Sequence, residues 1–93
     1  MVGAGPGGLT AAMLLAGKGF DVTIYEKEPC VGGRSAARFL GGKHDYVFDT
    51  GPTFLMMTPV LREMFDTIGR KLEDYCKVVP IDPMYRLSFP MAR

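Results

Sequence analysis

The chain has 93 residues, 47% of them hydrophobic and 23% charged, and its 11 Lys+Arg nearly balance 10 Asp+Glu for a formal charge of +1. That length is one domain's worth, and the balance fits neither a disordered nor a fibrous polypeptide. No apolar run approaches the ~20 residues of a membrane-spanning helix, no basic field marks a nucleic-acid or anionic-lipid partner, and two cysteines make no disulfide framework.

The twelve glycines are about twice the average usage of ~7%, and Gly3, Gly5, Gly7 and Gly8 crowd the start of the chain. Only Met1 and Val2 precede that cluster, fewer than a strand feeding a nucleotide-binding turn needs. The C-terminal run Ser88-Phe89-Pro90-Met91-Ala92-Arg93 stops directly after a strand-like stretch. The chain is therefore expected to be the N-terminal piece of something larger, with part of its first strand missing. The first apolar stretch is punctuated by glycine and has no basic leader, so it does not read as a signal peptide.

Residues 6–16 predict a helix. Pro6 suits the first turn, where an N–H would lack a partner anyway, and Gly17 and Gly19 stop it. Leu9, Ala12, Met13 and Ala16 share one face while Leu14 and Leu15 occupy others, and no charge appears before Lys18. A helix apolar nearly all round expects cover on both sides. Residues 20–26 (Phe-Asp-Val-Thr-Ile-Tyr-Glu) predict a strand, 28–34 a glycine-rich loop, and 36–40 with 45–49 a hairpin around Gly41-Gly42. Thr58 is expected to cap a second helix with Pro59 at its first position. Val60, Leu61, Met64, Phe65 and Ile68 form its apolar stripe, and Gly69 ends it. Residues 76–79 and 84–89 predict two more short strands, separated by Pro80, Asp82 and Pro83.

Gly3-Ala4-Gly5-Pro6-Gly7-Gly8 contains G-x-G-x-x-G, a pattern that is weak alone. Here a strand remnant precedes it, a helix comes after it, and the next strand ends in an acid. Gly3 permits the tight turn, Gly5 lets backbone approach a pyrophosphate, and Gly8 lets the helix pack close. The helix N-terminus then turns free N–H groups and partial positive charge toward phosphate. Glu26, 18 residues beyond Gly8, stands where a carboxylate accepts hydrogen bonds from ribose hydroxyls and repels a 2′-phosphate. Lys27 is adjacent to it and is included among the binding candidates. These elements define an α/β fold: a partial Rossmann-like dinucleotide-binding βαβ unit with additional short strands and one further helix.

A second glycine pair lies in Glu28-Pro29-Cys30-Val31-Gly32-Gly33-Arg34. Its glycines allow close backbone approach, and Arg34 brings a fixed cation with a bidentate fork that can neutralise a pyrophosphate from the other side. The run Val2-Gly3 through Gly8, then Glu26, then Gly32-Gly33-Arg34, resembles the FAD-binding start of the amine oxidase and phytoene desaturase superfamily. Phe48-Asp49-Thr50-Gly51-Pro52-Thr53 resembles the F-D-x-G-P segment of bacterial and fungal-type carotenoid desaturases. Leu72-Glu73-Asp74-Tyr75 and Asp82-Pro83-Met84-Tyr85-Arg86-Leu87 resemble the stretch beyond that segment in the same enzymes. The first motifs are common to many flavoenzymes; the later ones favour the phytoene desaturase branch, and the similarity spans essentially the whole chain.

This resemblance implies non-covalent FAD, no metal, and oxidation of an apolar, carotenoid-like polyene by hydride removal to the flavin. It implies that Gly3, Gly5, Pro6, Gly7 and Gly8 lie in the pyrophosphate region, Glu26 at the ribose, Gly32, Gly33 and Arg34 at the phosphates, and Asp49, Thr50 and Gly51 near the flavin. Read from the residues alone, Asp49-Thr50-Gly51-Pro52 is a turn after a strand. Residues 1–93 then form the N-terminal part of an FAD-binding domain whose remaining flavin contacts and substrate passage come from later sequence. The isolated chain is expected to bind FAD weakly or not at all and to be inactive. A cytoplasmic location is expected, with peripheral membrane contact of the full-length protein compatible with a carotenoid substrate.

Three other readings compete: an NAD-dependent dehydrogenase, which has no need of the second glycine loop; another flavoenzyme of the amine oxidase superfamily; and a non-catalytic nucleotide-binding remnant. The remaining chemistry-bearing residues are bland. His44, the only histidine, is expected at the surface beside the Gly41-Gly42-Lys43 turn; Cys30 is a loop filler; Cys76 is expected in the core. Ser35 and Ser88 have no placed base, and no catalytic residue is assigned. Phe54-Leu55-Met56-Met57 is either core packing with adaptable methionines or a wall of an apolar substrate passage.

Overall fold

A computed structural model describes residues 1–40 and 46–90, and it opens on a parallel pairing. The Met1 amino group donates to the Thr23 carbonyl (2.7 Å), the Tyr25 N–H to the Met1 carbonyl (2.9 Å) and the Gly3 N–H to the Tyr25 carbonyl (2.8 Å). Helix α1 (Pro6–Gly17) lies between the paired segments in sequence, which is the order of a βαβ unit. The strand expected over residues 20–26 is reduced to a single bridge, Val2 against Tyr25, because only Met1 to Gly3 pair with it. Alternation survives without the ladder: Val22, Ile24 and Glu26 are half-buried while Thr23 and Tyr25 are exposed.

Helix α1 runs one residue past its expected end and closes in a Schellman arrangement. The Gly19 N–H bonds the Ala16 carbonyl at 2.9 Å and the Phe20 N–H bonds the Leu15 carbonyl at 3.2 Å, a geometry that puts Gly19 in the left-handed region (φ +87°). After a 3-10 turn at Gly33–Ser35, strands β1 (Ala37–Leu40) and β2 (Tyr46–Asp49) pair antiparallel from Ala37↔Asp49 to Leu40↔Tyr46. The expected hairpin is present; its Gly41-Gly42 turn lies outside the described residues.

Helix α2 spans Thr58–Thr67. Met57, in the left-handed region at φ +56°, takes the cap position that Thr58 was expected to hold, and no side chain caps the helix. Thr58 is already helical, with Pro59 beside it in the first turn. Leu61, Met64, Phe65 and Ile68 are half-buried, but Val60 is exposed. The Phe65 ring meets Tyr75 at a centroid distance of 5.4 Å, while Arg62 Nε donates to Glu73 Oε1 at 2.6 Å. Both contacts tie α2 to the 3-10 turn Leu72–Asp74. The two helices meet where Gly17 faces Ile68, with no space for a side chain between them.

Residues 76–79 and 84–89 carry no regular secondary structure and join no ladder, since a strand forms only against a partner and none is present among the described residues. Among the described residues the buried hydrophobic ones are Ala4, Ala12 and Leu72. The chain exposes 8441 Å², against about 5,300 Å² for a self-contained globule of its mass. Its radius of gyration is 17.5 Å, against about 12 Å for a compact domain of this length. The all-round apolar α1 accordingly leaves Leu15 at 38% exposure. Residues 1–93 as an isolated polypeptide are expected to show no sigmoidal thermal transition and to enhance ANS fluorescence; a sharp, reversible two-state melt contradicts this.

Candidate functional site

The site is built around the peptide groups of Ala4, a residue only 1% exposed. The Ala4 N–H donates to Glu26 Oε2 at 2.6 Å, and its carbonyl accepts the Gly32 N–H at 2.8 Å. One residue of the first glycine loop thus holds the end of the second extended segment on one side and the second glycine loop on the other. Gly3 (φ +94°) makes the turn between the parallel bridge and this residue. A Cβ at Gly8 would collide with the Gly3 carbonyl oxygen, so α1 starts directly against the loop that feeds it.

Glu26 uses both carboxylate oxygens on backbone: Oε2 on Ala4, and Oε1 on the Glu28 N–H at 3.0 Å. The Ala4 N–H, then the Glu28 N–H, hold its carboxyl below the usual 4.5, because hydrogen bonds to the charged form favour it. Each oxygen keeps a further lone-pair direction, the kind a ribose hydroxyl would use. Lys27 turns to Glu28 across 3.8 Å at the surface.

The first loop, the second loop and the segment after β2 converge on a cleft of about 770 Å³. Gly5, Pro6 and Gly7 form one wall, Gly33, Arg34 and Ser35 the second, and Thr50, Gly51 and Pro52 the third. Two walls touch: a Cβ at Gly33 would lie 3.2 Å from Gly5 Cα. The first intrahelical bond of α1 runs from the Leu9 N–H to the Gly5 carbonyl at 2.9 Å, which leaves the preceding N–H groups of the helix without intrahelical partners. Added Cβ atoms at Gly5 and Gly7 would meet nothing within 4 Å, so the backbone here is open to approach. Among the described residues Arg34 pairs with no carboxylate, and its side chain stands exposed at the same cleft. A helix N-terminus opposite an arginine is a donor set suited to a diphosphate.

Of the thirteen residues expected at a site, Gly5, Pro6, Gly7, Gly33, Arg34, Thr50 and Gly51 line this cleft. Gly3, Gly8, Glu26 and Gly32 shape it from behind, while Lys27 and Asp49 do neither; Asp49 is exposed and ends the β-ladder opposite Ala37. Ser35 and Pro52 line the cleft without having been singled out as binding residues. Ser35 directly follows the Gly32-Gly33-Arg34 motif and closes the Gly33–Ser35 3-10 turn, while Pro52 lies inside the F-D-x-G-P segment itself.

Elsewhere the structure corrects the reading of several residues. Cys76 is exposed rather than in the core, because the segment that carries it has no covering layer; Cys30, expected as a loop filler, is exposed too. Phe54, Leu55, Met56 and Met57 are all exposed, Met57 to 71%, so they are not core packing in this chain. Phe54 and Leu55 join Cys76, Val79, Ile81 and Met84 around a second, apolar hollow of about 780 Å³. His44 lies outside the described residues. Among the described residues no group of three or more His, Cys, Asp or Glu gathers, and no helix is long and apolar enough to cross a membrane.

Comparison with known proteins adds two findings. The family model for the NAD(P)-binding Rossmann-like domain matches residues 1–68. Curated relatives match nearly all of the chain. A 4,4'-diapophytoene desaturase (4,4'-diapolycopene-forming) of Methylomonas sp is 51% identical over 96% of this chain. An all-trans-zeta-carotene desaturase of Myxococcus xanthus is 48% identical over 96%, and a neurosporene-forming phytoene desaturase of Rhodobacter capsulatus 39% identical over 97%. In each case the chain spans 17% of the relative's length.

Because the Glu26 carboxyl is held below 4.5 in the folded chain, its bond to Ala4 is fully formed above that value and is lost as the pH falls through the lowered one. In the full-length protein labelled with ¹⁵N-alanine, the Ala4 amide resonance is expected to shift with an acid midpoint below 4.5, and Glu26→Gln is expected to abolish that titration. A midpoint at or above the ordinary value contradicts the geometry.

Proposed function

This chain belongs to the NAD(P)-binding Rossmann-like domain family, and from that premise we propose that it is the FAD-binding start of a carotenoid desaturase-type oxidoreductase. The observation that carries the reading is the seating of Gly32-Gly33-Arg34 on the first glycine loop, through the Gly32 N–H to Ala4 carbonyl bond of 2.8 Å and the Gly33–Gly5 contact. A nicotinamide site needs only the first loop, the helix N-terminus and the ribose acid. The second loop adds a cation across the cleft from the helix N-terminus, which suits a pyrophosphate gripped from both sides. The relatives, named as desaturases of phytoene, diapophytoene and zeta-carotene, favour a polyene substrate over an amine.

In this reading the N–H groups at the start of α1 and the Arg34 guanidinium hold the diphosphate. Glu26 accepts from the ribose hydroxyls with the lone pairs left free by Ala4 and Glu28, and its charge disfavours a 2′-phosphate. Bound FAD would supply the hydride acceptor for dehydrogenation of the polyene. No residue of this chain is assigned as a catalytic acid or base. The exposed stretch Phe54 to Met57 is the part of the chain suited to an apolar substrate wall.

The test is purification of the full-length protein that carries this segment. It is expected to show flavin absorption bands and to release FAD on denaturation. Arg34→Ala is expected to weaken FAD binding about tenfold to a hundredfold, the loss of a charge-assisted contact. Purification with bound NAD and no flavin overturns the assignment.

A further inference from the structure

We infer that Thr50 and Gly51 are positioning residues for Arg34, acting on the diphosphate end of the cleft through the backbone of the second glycine loop. Where β2 ends, the chain does not turn away. The Thr50 hydroxyl donates to the Ala36 carbonyl at 3.1 Å, and Gly51 lies so close to the Arg34 carbonyl oxygen that a Cβ would collide with it. These two contacts extend the β1–β2 pairing, whose last register is Ala37↔Asp49, onto residues 34–36.

The other side of the same segment is fixed by the first loop, at Gly32 on the Ala4 carbonyl and Gly33 against Gly5. Within it, the Ser35 N–H bonds the Gly32 carbonyl at 3.0 Å and the Ala36 N–H bonds the Gly33 carbonyl at 3.2 Å. The segment is therefore held on one side by the backbone of the first loop and on the other by the Thr50 hydroxyl and the Gly51 backbone. The Arg34 side chain has no carboxylate to orient it among the described residues, so the direction of its fork depends on where its backbone is held. Thr50 and Gly51 supply the half of that restraint that the fingerprint loop does not. A side chain at Gly51 would push the Arg34 carbonyl, and a one-residue slip of β2 would move both contacts off the loop.

The inference rests on the dinucleotide reading of the cleft but not on which dinucleotide binds, so ADP, which has the diphosphate and no flavin, is the probe. Affinities of the full-length protein for ADP and, after removal of flavin, for FAD are measured by calorimetric titration for the native protein, Thr50→Val, Thr50→Ser and Gly51→Ala. Thr50→Val removes the hydroxyl at nearly constant shape, so it remains informative if Gly51→Ala fails to fold. Thr50→Val is expected to weaken ADP and FAD by the same factor, about threefold to tenfold. Thr50→Ser restores both, and Gly51→Ala costs about tenfold or more. In an Arg34→Ala background, Thr50→Val is expected to have no further effect on ADP, whereas a general loss of stability would add to it. A loss confined to FAD, with ADP unchanged, overturns the inference in favour of direct flavin contact. ADP binding indifferent to both variants overturns it alone. Failure of the native protein to bind ADP or FAD overturns the dinucleotide reading with it.

Discussion

Everything at the site depends on the peptide groups of Ala4 being buried and satisfied. A buried N–H or carbonyl without a partner is costly, and Ala4 meets that requirement with the Glu26 carboxylate and the Gly32 N–H. Those two bonds bring together segments 22 and 28 residues apart in sequence. The same demand that satisfies one residue therefore brings Glu26, the first glycine loop and the arginine loop together at one cleft. Gly33 against Gly5 and Gly51 against the Arg34 carbonyl complete the stack, each with backbone where a side chain would collide or crowd. The glycine content of the sequence is the chemical condition for backbones to approach this closely.

The cleft walls are thereby assembled in a chain whose core is small. Hydrophobic burial holds little here, with two alanines and one leucine buried among the described residues. Hydrogen bonds to the Ala4 peptide groups, close glycine contacts and the two-stranded β1–β2 pairing hold the cleft walls instead. The apolar faces of α1, of the Phe54–Met57 stretch and of the segments after the Leu72–Asp74 turn remain open. Relatives roughly six times as long have ample chain to cover such faces.

Much of the site was legible in the sequence because its determinants are local. Glycine spacing, the proline at the start of α1 and the acid at the end of the second extended segment each impose geometry within a few residues. Both helices and the β1–β2 pairing arise from the same kind of signal. What sequence reasoning missed depends on partners distant in the chain. Residues 20–26, 76–79 and 84–89 have strand composition, but a strand needs a neighbour, and only Tyr25 finds one, across from Val2. Cys76 reads as core by type and is exposed because no layer covers it. Thr58 is a good cap by residue type, yet the left-handed Met57 starts the helix one residue earlier. The role of Gly51 is invisible in its own motif, because the atom it meets belongs to Arg34, on the other side of the β1–β2 pairing.

In the proposed reading, contacts from Ala4 to Gly51 bring the three walls of the cleft together so that the start of α1 and Arg34 face one diphosphate from opposite sides. A crystal structure of the full-length protein with ADP or FAD tests it most directly. The diphosphate is predicted to lie between the N–H groups at the start of α1 and the Arg34 guanidinium, with a ribose hydroxyl on Glu26 and the Glu26–Ala4 bond retained. A diphosphate bound away from Arg34, or a Glu26 that leaves Ala4 to reach the ligand, would contradict it.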